Sequence, residues 1–402
     1  MTCSLIELKA VASVAIDNHK AALFEVSDEI WRNPELGFQE TRAHAALTAF
    51  LERHGFVVER SFSGLKTAFR ATFGEGRPNM CVICEYDALP EIGHACGHNL
   101  IAEAGLAAGL GVKAALDNSG APAGMVTVLG TPAEEGGGGK QLLIDSGAFE
   151  DVDVAMMVHP SPVTALMPRF LAVSFLKVEF SGKAAHAAAS PWEGFNALDA
   201  AVMAYNSVSV LRQQMKPDWR VHGIISNGGA KPNIIPEKAV MEYMVRTPER
   251  IDLKLLLGRV RACFEAAAQA TGCQVEITNS APSYDNLVSN EVLASLFAEN
   301  LKFFNVPFTK TTTSSGSTDM GNVSHLVPSI HPKYAIASSS ARSSRESIHT
   351  RSFTNLTNTP TSHESTLTMA KCMAHTCLDV LASEKVLQEV KDSFEFDTGT
   401  AV

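Results

Sequence analysis

The chain has 402 residues and a formal net charge of −10, and hydrophobic residues make up 46% of it. This length exceeds what one hydrophobic core usually supports, so two domains are expected. The composition excludes a disordered protein, and the excess of acidic over basic residues argues against nucleic acid as a partner.

The first twenty residues carry Glu7 and Asp17 among apolar side chains and lack a basic segment followed by an apolar core. We therefore expect no secretory signal, and no uncharged apolar stretch is long enough to predict a membrane span. The eight cysteines are thinly spread, which favours reduced thiols and a cytoplasmic protein. Cys81 and Cys84 fall on a predicted strand, where this spacing puts them on opposite faces rather than in a redox motif.

Strand and helix patterns alternate in the first part of the chain. The predicted order is strand, helix, strand, helix, strand, at residues 79–85, 99–116, 124–130, 140–146 and 152–158. This alternation favours parallel strands joined by crossover helices. The predicted fold class is α/β, with a mixed, mainly parallel sheet and helices on both faces.

The middle of the chain has a different order, β-α-β-β-α-β. Strands are predicted at 171–180, 219–226, 239–246 and 273–279, with helices at 196–214 and 252–271. This order is typical of a ferredoxin-like α+β sandwich. We therefore predict an inserted domain at 171–285 and a second domain formed by 1–170 and 286–402.

The last part of the chain is predicted to be helical at 290–304 and 362–382. Thr361 and Glu364 offer a capping box for the second of these helices. The segment 309–347 is rich in Ser, Thr, Gly and Pro, which predicts that it is mostly loop.

Candidate metal ligands follow the predicted strands of the first domain. The segment 85–98 reads E-Y-D-A-L-P-E-I-G-H-A-C-G-H, Glu134 and Glu135 lie in T-P-A-E-E-G-G-G-G, and His159 lies in M-M-V-H-P. Ligands of parallel sheets bind beyond the carboxyl ends of the strands. These side chains are therefore expected to converge.

Cys96, His98, Glu135 and His159 form a mixed sulfur, nitrogen and oxygen donor set, which is typical of catalytic rather than structural zinc. Oxygen ligands also allow manganese or cobalt. Glu134 is a candidate general base beside the metal. The structural alternative is that the cysteine and histidines serve the core and the two glutamates form a solvated acidic turn.

Five stretches carry a resemblance to a known family, with the sequences C-E-Y-D-A-L-P-E-I-G-H-A-C-G-H-N-L-I-A-E, G-T-P-A-E-E-G-G-G-G-K, P-W-E-G-F-N-A-L-D-A-A, K-P-N-I-I-P and S-G-S-T-D-M-G-N-V-S. They resemble the aminoacylase and glutamate-carboxypeptidase family of two-metal amidohydrolases, in particular its dipeptidase branch and its p-aminobenzoyl-glutamate hydrolase relatives. The resemblance extends from about Ile30 to Leu381.

The resemblance implies a role for each matching residue. It implies Cys96, His98, Glu135 and His159 as metal ligands, with Glu134 as the catalytic base. Asp87 matches an aspartate that orients a ligand. The last ligand, a histidine near the C-terminus, falls on His349. The segment before it is longer and more polar than in relatives, so His363 stays open as an alternative.

The resemblance also implies roles in the inserted domain, as a lid or dimerisation domain. His186 matches a histidine that stabilises the oxyanion, in many relatives from the other subunit of a homodimer. Asn233, Arg246 and Gly316 match residues that bind the substrate carboxylate or approach it.

The predicted function is a metal-dependent hydrolase of small amide and peptide bonds, with one or two zinc ions per subunit. The resemblance suggests dipeptides with a basic C-terminal residue, such as β-alanyl-lysine, β-alanyl-ornithine and γ-aminobutyryl-lysine. The alternatives are hydrolysis of N-acyl amino acids or p-aminobenzoyl-glutamate, and an inactive metal-binding partner subunit.

Overall fold

We describe the fold from a computed structural model, for residues 4–118, 120–312, 316–336 and 347–399. The chain divides into two compact units. The first unit comprises Met1–Arg169, Leu287–Ser315 and Asp319–Val402, and the second comprises Phe170–Asn286 and Gly316–Thr318. The role of the second unit as a lid or dimerisation domain stays a prediction.

The strands are given in chain order: β1 Val57–Arg60, β2 Phe69–Glu75, β3 Asn79–Cys84, β4 Gly124–Gly130, β5 Val154–Met156, β6 His159–Ser161, β7 Ala172–Ser181, β8 Arg220–Asn227, β9 Lys238–Thr247, β10 Gln274–Asn279, β11 Ser329–Ile330 and β12 Lys333–Ala335.

The α-helices are likewise given in chain order: α1 Leu5–Asn18, α2 Lys20–Arg32, α3 Thr41–Arg53, α4 His98–Leu116, α5 Gly139–Asp145, α6 Ala197–Leu211, α7 Arg250–Thr271, α8 Glu291–Phe303, α9 Met320–Ser324, α10 Arg351–Leu356, α11 Pro360–Leu381 and α12 Glu384–Thr398.

The first unit is built on a six-stranded mixed sheet with the order β1-β2-β4-β3-β5-β11. The central strands β4, β3, β5 and β11 pair in parallel, whereas β1 and β2 extend the sheet in antiparallel fashion. Every residue of β3 is buried, as expected for a parallel strand covered on both faces. The predicted α/β class with a mixed, mainly parallel sheet is confirmed.

Helix α4 packs directly on this sheet, because its small residues allow a close approach. A β-carbon added at Gly105 would lie 2.4 Å from the sulfur of Cys84 and 2.9 Å from the carbonyl oxygen of Ile83. The helix is long and apolar enough to be a candidate membrane span, with a mean hydropathy of 1.3, but 83% of that window is buried inside the protein. Its apolar surface is therefore already covered by neighbouring elements.

The cysteines of the described residues are free, and Cys3 lies outside those residues. Cys81 and Cys84 contribute to different hydrophobic clusters, as the strand geometry predicts. Burial raises the pKa of the Cys81 thiol to about 12. The pair therefore serves packing rather than redox chemistry.

The second unit is a four-stranded antiparallel sheet with the order β10-β7-β9-β8. Its element order is β7-α6-β8-β9-α7-β10, which is the predicted sequence of strands and helices. Buried side chains of α6 and α7 pack with those of the sheet in one hydrophobic cluster. The unit therefore has a core of its own.

One local prediction was wrong, and a second was right although it missed three short elements. Helix α11 begins at Pro360, where Thr359 and Ser362 form the capping box instead of Thr361 and Glu364, because proline is favoured in the first helical turn. The segment 309–347 was predicted to be mostly loop, and among its described residues only the short elements α9, β11 and β12 are helix or strand. These elements are only two to five residues long, so they have little room for a periodic pattern. Residues 313–315 and 337–346 of this segment lie outside the described residues.

The close packing of α4 predicts opposite effects for two glycine-to-alanine changes. Gly105→Ala should destabilise the first unit by about 1–3 kcal/mol, because a methyl group would overpack a buried helix-sheet contact. Gly258→Ala, on α7 with no atom within 4 Å of the added β-carbon, should stabilise its helix by about 0.5–1 kcal/mol. Denaturant unfolding followed by circular dichroism measures both; equal effects of the two changes would contradict the packing argument.

Candidate metal centre

Cys96 lies in the loop between β3 and α4, and His98 is the first residue of α4, on the other side of Gly97. Gly97 caps α4 with a φ of 84°, and a β-carbon there would lie 2.4 Å from Cγ of Pro160. Both requirements favour glycine. The close contact brings the loop against the segment that carries His159.

His98 is oriented by Asp87, which is buried in the same loop. Nδ1 of His98 lies 3.0 Å from Oδ1 of Asp87, and Oδ2 of Asp87 accepts a hydrogen bond of 2.9 Å from the backbone N–H of Glu135. Nε2 of His98 therefore remains available on the other side of the ring. A carboxylate that fixes the tautomer and orientation of a histidine is a common support for a metal ligand.

Cys96, His98 and His159 form a first donor group, whose ligand atoms all lie within 4.8 Å of one another. The sulfur of Cys96 lies 3.4 Å from Nε2 of His159. Nδ1 of His159 lies 2.8 Å from the carbonyl oxygen of Pro160. In the neutral tautomer that carries its hydrogen on Nδ1, this nitrogen donates to that carbonyl group. The second nitrogen then faces the sulfur with its lone pair.

Cys96 also belongs to a second donor group, with Glu135 and His349. Oε1 of Glu135 lies 3.3 Å from Nε2 of His349, and the backbone N–H of His349 donates to the carbonyl oxygen of Ala95. His349 has a φ of 63°, a left-handed conformation that is uncommon for residues other than glycine. The thiol of Cys96 is therefore common to both donor groups, which would hold the metal through Cys96, His98, His159, Glu135 and His349.

His363 lies in a different environment. Its Nδ1 is 2.6 Å from Oε2 of the buried Glu103, and its ring packs edge-on against Phe24. The structure thus brings His349, and not His363, to the other candidate ligands. The ligand role itself stays a prediction.

Glu134 and Glu135 lie in a turn between β4 and α5, and not on extended backbone. Both carboxylates nevertheless reach His98, with which they form a third group of close donor atoms. Oε2 of Glu134 lies 3.9 Å from Nε2 of His98. The turn therefore places the carboxylates of both Glu134 and Glu135 near the other donor atoms.

A buried ion cluster that the sequence analysis missed lies next to Glu134. Nζ of Lys140 contacts Glu85 at 2.5 Å and Asp319 at 2.6 Å, and all three side chains are fully buried. Oxygen atoms of Glu85, Glu134 and Asp319 lie within 4.8 Å of one another. Lysine after a run of glycines suggests an exposed turn, so the sequence carried little signal for this cluster.

The electrostatics of the centre are dominated by burial and by neighbouring carboxylates. Burial, and then the charges of Glu85 and Glu135, raise the pKa of Glu134 well above its usual value. Burial would also raise the pKa of Asp87, but His98, the backbone N–H of Glu135 and the charge of Lys140 together outweigh burial, and the pKa is lowered. Burial lowers the pKa of His159 well below its usual value, which keeps the imidazole neutral, as a metal ligand must be.

The residues present fit a divalent metal ion. Nε2 of His98 and Oε2 of Glu85 are 3.5 Å apart, and neither atom has a hydrogen-bond partner among the described residues. Buried polar atoms of this kind normally have partners. A thiol, imidazoles and carboxylates that converge on one place are the ligand types of a catalytic zinc site.

The remaining predicted site residues belong to the second unit. His186 is exposed, and its Nδ1 accepts hydrogen bonds from the backbone N–H groups of Ala188 and Ala189. The backbone carbonyl group of the exposed Asn233 accepts a hydrogen bond from the backbone N–H of Ala187, the residue that follows His186. They are therefore neighbours within the unit, and their catalytic roles stay predictions.

Arg246 and Gly316 also lie near each other in the second unit. The guanidinium group of Arg246, on β9, donates to the hydroxyl group of Ser317. Gly316 forms a bridge with Phe170. A substrate-binding role for either residue stays a prediction.

Comparison with known proteins identifies the family. Residues 81–358 match Peptidase family M20/M25/M40. The chain belongs to this family. The match includes the β3-α4 loop, the glutamate turn, His159 and His349, so all of the donor groups described above lie inside it.

Relatives extend the similarity over nearly the whole chain. The Xaa-Arg dipeptidase of Mus musculus is 46% identical over 404 residues, which cover 96% of this chain and 92% of that protein. One of the subunits of the p-aminobenzoyl-glutamate hydrolase of Escherichia coli K12 is 35% identical over 73% of this chain and 64% of that protein. The predicted membership and the predicted hydrolysis of peptide and amide bonds are confirmed.

A solved structure has the same fold. It is a dinuclear metal-binding peptidase of the M20 family from Bacillus subtilis, with a TM-score of 0.67 and 20% sequence identity. The alignment covers 91% of this chain and 99% of that protein. The family and the donor groups together make this protein a metal-binding hydrolase, while the identity of the metal is a separate question.

The unpartnered donor atoms predict that metal binding stabilises the first unit. Removing metal with a chelator should lower the melting temperature by several degrees, because a ligand at 100 times its dissociation constant contributes about 2.7 kcal/mol. In a His98→Ala variant the chelator should change the melting temperature little. Differential scanning calorimetry with and without added Zn²⁺ measures this, and an equal chelator effect in both proteins would contradict it.

Proposed function

We propose that this protein is a metal-dependent dipeptidase that acts on dipeptides with a basic C-terminal residue. The observation that carries the proposal is the 46% identity to the Xaa-Arg dipeptidase of Mus musculus across 96% of the chain. It is supported by the convergence of Glu134 with the donor groups around Cys96 and His98. We name β-alanyl-lysine, β-alanyl-ornithine and γ-aminobutyryl-lysine as substrates to test.

The mechanism follows from the position of Glu134 beside the donor groups. A divalent metal, when bound, supplies Lewis acidity that makes water a better nucleophile and polarises the scissile carbonyl. Glu134 accepts a proton from the attacking water and later delivers it to the leaving nitrogen. Asp87 holds His98 in place throughout, because its two oxygens contact the imidazole and the backbone of Glu135.

We propose zinc as the metal, at one or two positions per subunit. The support is chemical: a cysteine thiolate and histidine nitrogens favour zinc, although carboxylate ligands also permit manganese or cobalt. Metal analysis of the protein purified without added metal, followed by reconstitution of the stripped protein with each ion in turn, tests the choice.

The second candidate function is hydrolysis of p-aminobenzoyl-glutamate or of N-acyl amino acids. The observation that favours it is the 35% identity to the Escherichia coli hydrolase. Turnover of a panel of substrates by the metal-reconstituted protein separates the two candidate functions. Faster turnover of β-alanyl-lysine supports the dipeptidase, whereas faster turnover of p-aminobenzoyl-glutamate supports the second candidate function instead. Bound metal without hydrolysis of any panel member would instead indicate a metal-binding partner subunit.

The proposed mechanism predicts the effect of removing the base. Glu134→Ala should lower kcat by about 100- to 10,000-fold, the range usual for a general acid-base group, while the protein keeps its metal. Glu59→Ala, an exposed glutamate on β1 in the same unit, is the matched control and should keep wild-type activity. Steady-state kinetics and metal content test this together. Wild-type kcat in metal-loaded Glu134→Ala protein would refute the mechanism.

We also propose that the protein acts as a homodimer through the second unit. The support is the exposed apolar surface of α6 and of the edge strand β8, which includes Val202, Met203, Tyr205, Val210 and Ile224. Exposed edge strands and contiguous apolar side chains are typical of association surfaces. The cytoplasmic location remains a prediction from the sequence alone.

A shared active site would give a specific mixing result. If His186 of one subunit serves the other subunit, then mixing His186→Ala with Glu134→Ala protein should restore partial activity, because some sites in the heterodimer contain both side chains. Up to about one quarter of wild-type activity is expected at random pairing. Differently tagged subunits allow heterodimers to be isolated, and isolated heterodimers without restored activity would contradict the proposal.

A further inference from the structure

The turn that carries Glu134 and Glu135 is held by three buried carboxylates through its main chain. The backbone N–H of Ala133 donates to Glu40, that of Glu135 to Asp87 and that of Lys140 to Asp319, each at 2.9 Å. A backbone N–H group that donates to a buried carboxyl oxygen is satisfied, and removing the acceptor leaves a polar group without a partner. The turn is therefore fixed before, within and after the two glutamates.

Glu40 is the first of these anchors, and it lies far from the turn in the sequence. It is the N-cap residue of α3, but its side chain makes no capping hydrogen bond there. Instead Oε1 accepts from Ala133, and Oε2 accepts a hydrogen bond of 2.8 Å from the hydroxyl group of Thr67. The carboxyl group is completely buried, so its orientation is set by these partners.

Ala133 needs such an anchor because its backbone is strained. Its φ is 56°, in the left-handed region, and the residue is buried. This conformation costs an alanine roughly 1–2 kcal/mol and persists only where the surroundings hold it. The neighbouring backbone packs closely around Ala133. β-Carbons added at Gly37 and Gly137 would lie 2.8 and 2.5 Å from the β-carbon of Ala133.

The other end of the turn is held by Asp319. One of its oxygens accepts the backbone N–H of Lys140 and the other contacts Nζ of the same residue. Because Lys140 also compensates the charge of Glu85, a substitution at Asp319 would disturb several groups at once. Glu40 forms no ion pair with a lysine or arginine among the described residues, so its substitution leaves no buried cation without a partner and is the cleaner test.

We propose that Glu40 is a positioning residue for Glu134 and Glu135, acting through its hydrogen bond to the strained backbone of Ala133. Its effect on catalysis rests on the proposed function, whereas its effect on the turn and on metal binding does not. Glu40 holds the backbone of Ala133, the residue directly before Glu134. It sets the direction in which the chain enters the turn.

The test compares Glu40→Ala with Glu40→Gln in the full-length protein. Alanine removes the acceptor for the N–H of Ala133, whereas the amide oxygen of glutamine can still accept it. Burial raises the pKa of Glu40 to about 7, so a neutral side chain at this position resembles a form that the wild-type protein itself populates near neutral pH. The Glu40→Gln variant should therefore keep most of the turn order, metal affinity and activity that the Glu40→Ala variant loses.

Three measurements follow the turn. Hydrogen exchange of a peptide spanning 131–141 should be faster in Glu40→Ala than in wild type. The dissociation constant for Co²⁺, from competition with a chelating dye, should rise about 10- to 100-fold, the usual cost of losing an outer support of a metal site. On an active substrate kcat should fall more than KM rises, because the base is displaced and the substrate contacts remain.

Glu103→Ala is the matched control, since Glu103 is also a completely buried glutamate but is bonded to His363 and not to the turn. At a similar loss of stability it should leave exchange in 131–141 and Co²⁺ affinity near wild type. Equal effects in the control would overturn the proposal, because general destabilisation would then explain them. Unchanged exchange and affinity in Glu40→Ala would overturn it as well.

A second variant covers the case in which Glu40→Ala fails to fold. Thr67→Val removes the hydrogen bond to Oε2 of Glu40 and should change exchange and Co²⁺ affinity in the same direction by a smaller factor; no change would overturn the proposal. If the wild-type protein hydrolyses no dipeptide, yet the exchange and affinity results hold, the proposed function fails and the role of Glu40 stands.

Discussion

The ion pairs of Lys140 with Glu85 and Asp319 are the interaction on which the centre depends. They lie beside Glu134, where carboxylates would otherwise repel one another, and the ammonium group offsets part of that negative charge. Removing one partner of such a buried pair typically costs about 3–5 kcal/mol, because the remaining charge cannot be solvated. The carboxylates, in turn, keep the pKa of Lys140 above its usual value although burial lowers it. The ammonium group therefore stays charged, and its ion pairs hold Glu85 and Asp319 in place beside Glu134.

Much of the first unit could be predicted from the sequence, because apolar strands and small-residue helices alternate clearly between β3 and β5. The observed strands Asn79–Cys84 and Gly124–Gly130 and the helix His98–Leu116 differ from the predicted ranges by one residue or less at each end. The convergence of Cys96, His98 and His159 followed from one rule, that parallel strands end at the same edge of a sheet. The structure places these three donor atoms within 4.8 Å of one another.

The residues that hold the centre could not be predicted in the same way. Glu40 precedes a helix and looks like an ordinary cap, and Lys140 follows glycines in what looks like a solvated turn. Glu40 contacts Ala133, which is 93 positions away in the sequence, and Lys140 contacts Asp319, which is 179 positions away. Such contacts leave no local pattern. His349 was open for a related reason, because the preceding segment is longer and more polar than in relatives. Its position follows from its backbone hydrogen bond to Ala95 and from its contact with Glu135.

The donor groups are drawn from segments that are far apart in the chain, from Cys96 to His349, and the whole 170–286 stretch of the second unit lies between His159 and His349. A growing chain emerges from the ribosome at about 5–20 residues per second, so the first donor group is synthesised many seconds before the second can be completed. The order of the residues thus makes assembly of the complete centre one of the last events in the biogenesis of the protein.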